Sequence, residues 1–215
     1  MNKLFISFII TTVMVAAIFS SCNKDDDEYL SPTLVNGGLS GVIEGEYASW
    51  DIVGISFNGG DIVETTPIID GKFTFSSLPT PKPEDLGPFF DIEEIPEIIQ
   101  NSDKDAKICN MSLLAIKGDV DASYEGNGIV QGVYVFPNFF NMFMYYYADK
   151  DLKVKVSSSG TNMGINFSTE INVNLKRGWN TLHLLSDVTE ENGITTTLKN
   201  GVPPPGTAWK GITLQ

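Results

Sequence analysis

Leu152-Lys153-Val154-Lys155-Val156 and Ile171-Asn172-Val173-Asn174-Leu175 alternate apolar and polar residues without a break. Successive side chains of an extended strand point to opposite faces, so each run reads as a strand with one dry and one wet face. The same period recurs at Lys72-Phe73-Thr74-Phe75. Other short runs rich in β-branched and aromatic residues occupy 39–43, 51–57, 62–69, 108–116, 129–136, 142–148, 179–185 and 194–198. Asn58-Gly59-Gly60-Asp61, Asp70-Gly71, Ser157–Gly160, Arg177-Gly178 and Glu191–Gly193 separate them as turns. Many short strands with regular turn signals predict an all-β fold, a sandwich or a barrel.

Residues 79–105 break this pattern. Pro79, Pro81, Pro83, Pro88 and Pro96 interrupt them, and Glu84, Asp85, Asp91, Glu93, Glu94 and Glu97 cluster there. Short helical turns are expected at 84–86 and 92–100, the second with Ile95, Ile98 and Ile99 on one face. The predicted architecture is two antiparallel β-sandwich-like parts, 37–80 and 106–215. A proline-rich, partly helical linker or crossover over 81–105 joins them.

The N-terminus has the order of an export signal. Lys3 precedes an apolar run from Leu4 to Phe19, and the small pair Ser20-Ser21 precedes Cys22. That run is shorter than the ~20 residues needed to span a bilayer, and its downstream flank is acidic. Residues 1–21 therefore read as a leader, and 22–36 as a cysteine followed by an acidic tether. This junction resembles that of lipoproteins of Gram-negative Bacteroidota. The resemblance implies acylation of Cys22, and several acyl chains make a lasting anchor because each buried methylene contributes about 0.8 kcal/mol. The run Lys24-Asp25-Asp26-Asp27-Glu28 resembles the family's signal for the outer leaflet of the outer membrane. The implied location is the outer membrane, facing the cell exterior.

Two further stretches carry resemblances. Asp70-Gly-Lys-Phe-Thr-Phe-Ser-Ser-Leu-Pro79 resembles a hairpin of transthyretin-like and carboxypeptidase-regulatory-like β-sandwiches, which implies fold alone. The tyrosine-rich strand with Ala148-Asp-Lys-Asp151, followed by Asn174-Leu-Lys-Arg-Gly-Trp-Asn180, is similar to stretches in uncharacterised surface lipoproteins of Bacteroidota. That group brings no activity with it.

Composition narrows the function classes. The chain has 14 Lys and Arg against 27 Asp and Glu, a net charge of −13. Nucleic-acid binding wants a basic footprint, so this balance argues against it, and against docking on anionic headgroups. Cys109 is the only cysteine besides Cys22. Once Cys22 is acylated no internal disulfide can form, and Cys109 reads as a small buried hydrophobe. With one histidine, His183, no Ser-His-Asp set or histidine metal cluster can be proposed. His183 is expected to be an exposed or hydrogen-bonded sheet residue.

The most unusual stretch is Phe136-Pro-Asn-Phe-Phe-Asn-Met-Phe-Met-Tyr-Tyr-Tyr147. As a strand it has two apolar faces, and the favoured reading is a central strand covered on both sides. The sharper reading makes Phe139, Phe140, Tyr145 and Tyr147 a stacking surface for a sugar ring or a partner. Trp209, after Pro203-Pro-Pro-Gly206, is a further binding candidate if its tail is exposed. Asp119, Asp121, Ser123 and Glu125 place oxygens at alternate positions as a calcium loop does, but Gly126 departs from the EF-hand spacing. A solvated acidic hairpin is favoured there, with calcium the alternative, and no other cofactor is expected.

The resulting expectation is a lipid-anchored, non-catalytic binding or adhesion module, with glycan the first ligand to try. The alternative is a structural or assembly subunit pairing with another surface protein. An acid-pair hydrolase ranks last; sequence does not set the separation of Glu44/Glu46, Asp103/Asp105 or Asp149/Asp151.

Overall fold

Asp70 and Gly71 both adopt positive φ, 50° and 71°. Ile69 and Lys72 exchange backbone hydrogen bonds of 2.8 and 2.9 Å across them. This tight turn suits the right-handed twist of paired strands, as the Asp-Gly signal predicts. Asn58 and Gly59 (φ 49° and 72°) turn the preceding hairpin in the same way.

The computed structural model describes residues 37–89, 100–118, 125–135, 139–162, 165–189 and 193–211. Cys22 and the tether lie outside them, as do Asp119, Asp121, Ser123 and residues 90–99 of the expected linker. The strands are β1 (Leu39–Glu44), β2 (Ile52–Phe57), β3 (Ile62–Pro67), β4 (Lys72–Phe75), β5 (Gly87–Pro88), β6 (Gln100–Asn101) and β7 (Lys107–Lys117). They continue as β8 (Glu125–Val135), β9 (Phe139–Ala148), β10 (Leu152–Asn162), β11 (Ile165–Leu175), β12 (Gly178–Thr189), β13 (Gly193–Asn200) and β14 (Trp209–Gly211). The fold is all-β. Of the two expected helical turns, the first is a 3-10 turn at Pro83–Asp85.

Pairing organises these strands into two bodies, with β9 of the second pairing onto β7 and β8 of the first. In the first, β3–β2–β7–β8–β14–β1–β4 run edge to edge. β3 meets β4 again through the Ile69–Lys72 bridge and through Thr66 Oγ1, which donates to the Thr74 carbonyl at 2.8 Å. The ring is thus a nearly closed barrel. Its core is aromatic and aliphatic: Val53, Ile55, Phe57, Phe73, Phe75, Met111, Leu113, Tyr145 and Trp209 are all buried. In the second body, β9–β12–β13–β11–β10–β6 form an extended sheet. Leu152, Val154, Val173, Leu175 and Leu182 bury one face of it, with Phe89 and Tyr146 packed against them.

The two bodies meet where β7, β8 and β9 pair pairwise. β7 takes β9 over Ile108–Met111 and β8 over Leu113–Lys117, while β8 takes β9 beyond Gln131. Gly132 sits at this bend with φ 141°, and a side chain there would collide with the Asn141 carbonyl.

Three sequence expectations change. Ser157–Gly160 is not a turn; the β10–β11 ladder runs through it to Asn162↔Ile165. Continuous pairing along β11 outweighs the turn preference of Ser and Gly. The pairing is mixed rather than antiparallel throughout, since β1–β14 and β11–β13 are parallel. The expected boundary between 37–80 and 106–215 is also crossed by β2–β7 and β1–β14.

Candidate functional site

The aromatic residues singled out by sequence point inward where their side chains are described. Tyr145 is 3% exposed and Trp209 2%. Their rings stack inside the barrel, and burial pushes the Tyr145 phenol well above its ordinary range. The Tyr145 hydroxyl donates to Gln131 Oε1, whose Nε2 donates to the Thr207 carbonyl at 3.2 Å. Tyr147 is half-buried against the same core, edge-on to Trp179 with centroids 5.6 Å apart. Tyr145 and Trp209 are therefore core residues and offer a ligand no surface, and the reading of Trp209 as an exposed tail is corrected. The physical reason is that Trp209 opens a strand, β14, which fills the gap between β1 and β8. Phe139 and Phe140 begin β9, and their side chains lie outside the described residues, as does that of Glu125 at the start of β8.

The accessible chemistry lies on the wet face of the second sheet. Register builds it strand by strand. Lys155 on β10 faces Asn172 on β11, Asn172 faces Lys199 on β13, Lys199 faces His183 on β12, and His183 faces Phe143 on β9. Neighbouring rows add Lys153 with Asn174, and Ser157 with Glu170, Thr197 and Leu185. Lys153, Lys155, Asn172 and Lys199 are exposed, whereas Asn174, Thr197, His183 and Leu185 are half-buried. The row thus runs from solvent at β10 to the barrel wall at Phe143.

His183 ends the exposed part of this row. Its ring stacks on Phe143 at 4.7 Å with planes 14° apart. Its Nε2 lies 2.6 Å from Asn141 Oδ1. An amide oxygen only accepts, so Nε2 carries the hydrogen and Nδ1 is left as an acceptor. Partial burial and the nearby Lys199 hold the imidazole below its ordinary pKa of 6.5. At neutral pH it is an uncharged ring.

Other reactive side chains have structural duties. Cys109 is fully buried, and burial with the nearby Asp85 pushes its thiol up to about 12. Asp149 Oδ1 accepts from the Lys107 amide at 2.8 Å, and Asp103 Oδ1 from the Asp105 amide at 2.9 Å. Asp151 takes both Lys176 Nζ, at 2.9 Å, and the Arg177 amide, at 3.0 Å. These acids brace turns and the paired ends of β7 and β9.

An open depression of about 480 Å³ lies at one barrel mouth, lined by Glu44, Gly45, Glu46, Tyr47, Lys210 and Gly211. Lys210 Nζ and Glu44 Oε2 pair across it at 3.3 Å. Among the described residues no group of three or more His, Cys, Asp or Glu is placed to hold a metal ion, and no helix is long and apolar enough to cross a membrane.

Sequence reasoning saw the polar halves of β10 and β11 only as wet faces. The alternating lysines and asparagines were the available signal. Their convergence with Lys199 and His183 needs the parallel β11–β13 register, which no local pattern encodes. Comparison with protein-family models, with curated proteins and with solved structures finds no match to this chain.

Proposed function

We propose that this protein is a non-catalytic, glycan-binding lipoprotein of the cell surface, moored through acylated Cys22. The carrying observation is the row Lys155–Asn172–Lys199–His183 beside the Phe143 ring. Amide, hydroxyl and ammonium groups complement sugar hydroxyls, and strands hold them in fixed positions. Adjacent strands lie about 4.8 Å apart and alternate residues about 6.8 Å, so the face offers polar groups on a grid suited to an extended chain. The His183 ring and Leu185 supply the apolar contact that a sugar's C–H face needs.

A non-catalytic role is supported by where the reactive groups sit. Cys109 is buried as a thiol, His183 is hydrogen-bonded to an amide rather than a carboxylate, and Asp103, Asp149 and Asp151 accept backbone hydrogen bonds at turns and strand ends. The test is affinity electrophoresis of the full-length protein in detergent through gels containing soluble polysaccharides. Retardation by at least one polysaccharide, reduced in Asn172→Ala/Thr197→Ala, is expected. Unchanged mobility in every gel would overturn the reading.

A further inference from the structure

The charges on the candidate face are arranged against the grain of the whole protein. The chain carries a net charge of −13. Yet the face of β10, β11 and β13 presents Lys153, Lys155 and Lys199 to solvent, with Glu170 on β11 and Asp187 on the adjoining β12 as the exposed acids. Lys153 and Lys155 are two residues apart on one strand face, about 6.8 Å, and Lys199 lies two strand spacings from Lys155, about 10 Å. Asn172 stands between Lys155 and Lys199.

Three lysines elsewhere are neutralised. Lys150 pairs with Asp103, Lys176 with Asp151 and Lys210 with Glu44. None of Lys153, Lys155 and Lys199 has an ion pair among the described residues. Lys72, Lys82, Lys104, Lys107 and Lys117 also have none there, so gathering on one face is what sets Lys153, Lys155 and Lys199 apart. Edge protection explains lysines on an outer strand such as β10, which is covered only at Val154 and Lys155 by β6. It does not explain Lys199, because β13 is an inner strand with β11 and β12 on its two sides. Like charges gathered without partners repel one another, and a bound anion removes that repulsion.

We infer that the ligand is an acidic polysaccharide, lying across β10, β11 and β13 with its carboxylate or sulfate groups on Lys153, Lys155 and Lys199. This deepens the glycan reading and rests on it. The asparagine, serine and threonine side chains between the lysines take the sugar hydroxyls. A nucleic acid carries far denser charge, and three lysines beside Glu170 and Asp187 on an acidic body make no footprint for it.

The experiment is affinity electrophoresis of the full-length protein with polygalacturonate, chondroitin sulfate and uncharged dextran, with single-stranded DNA and anionic vesicles as further probes. Retardation by polygalacturonate or chondroitin sulfate is expected, the stronger of the two marking carboxylate or sulfate as the preferred anion. Raising salt from about 0.05 M to about 0.5 M should weaken it. Lys153→Gln/Lys155→Gln/Lys199→Gln should weaken it at least about 10-fold. Replacement of the three by Arg should keep it, and Lys72→Gln/Lys82→Gln/Lys117→Gln, with the same change in net charge, should leave it intact. Equal retardation by dextran, indifferent to the Gln triple, would overturn the acidic-ligand inference and leave the glycan reading standing. Binding to DNA or vesicles instead of polysaccharide, or to nothing, would overturn both.

Discussion

Tyr145 and Trp209 stack with ring centroids 5.7 Å apart and planes 17° apart, joining β9 to the C-terminal strand in the barrel interior. Phe73 also meets Trp209, edge-on at 5.5 Å. One indole thereby links the aromatic strand, the 72–75 hairpin and the chain's end. The Trp209 Nε1 has no hydrogen-bond partner among the described residues, so shape rather than a polar contact sets its role. Trp209→Ala should lower unfolding free energy by about 3–5 kcal/mol, and Trp209→Phe by distinctly less. Urea denaturation checks this; an unchanged midpoint for the alanine variant would contradict the buried placement.

Gly41 is the floor on which that indole rests. A side-chain carbon at Gly41 would collide with Trp209 and crowd Phe73. Gly41→Val should cost about 1–3 kcal/mol through overpacking, although valine suits a strand. Thermal unfolding followed by tryptophan fluorescence measures it. A stabilised variant would show that the indole is elsewhere.

Cys109 should behave as a sealed thiol. It is fully buried, with its pKa pushed up to about 12 by burial first and Asp85 second. Iodoacetamide at mildly alkaline pH should leave the native protein unlabelled and modify Cys109 once urea unfolds it. Rapid labelling of the native state would contradict this packing.

His183 gives stability a pH dependence of definite sign. Its folded-state pKa lies below the ordinary 6.5, through partial burial first and Lys199 second. As pH falls through 6.5 the unfolded chain binds a proton that the native ring resists. The contribution is present above that value and is lost as pH drops towards the folded pKa. The effect is modest because the ring is only half-buried. His183→Gln should flatten that part of the urea-midpoint curve between pH 7 and pH 5. A steeper curve for the variant would reverse the assignment.

Much of this fold is readable before folding, and the unreadable parts have common causes. Phe73 and Phe75 declare their face by alternation, and Asp70-Gly71 declares its turn because few sequences tolerate two positive φ values. β14 is invisible in that way: three residues after a proline run, held by a parallel partner far earlier in the chain. Trp209 consequently reads as a tail and is core. Ser157–Gly160 reads as a turn because local preference speaks there, while an eleven-residue ladder with β11 decides. The lysines of the candidate face were visible one by one. Only register brings Lys199 alongside Lys155.

Lysine footprinting of the full-length protein tests the central claim most directly. Acetylation rates would be read by mass spectrometry with and without polygalacturonate. Protection at Lys153, Lys155 and Lys199, with Lys72, Lys82 and Lys117 unchanged, is the predicted result. Protection centred instead on Lys210 at the barrel mouth, or spread evenly over all lysines, would contradict it.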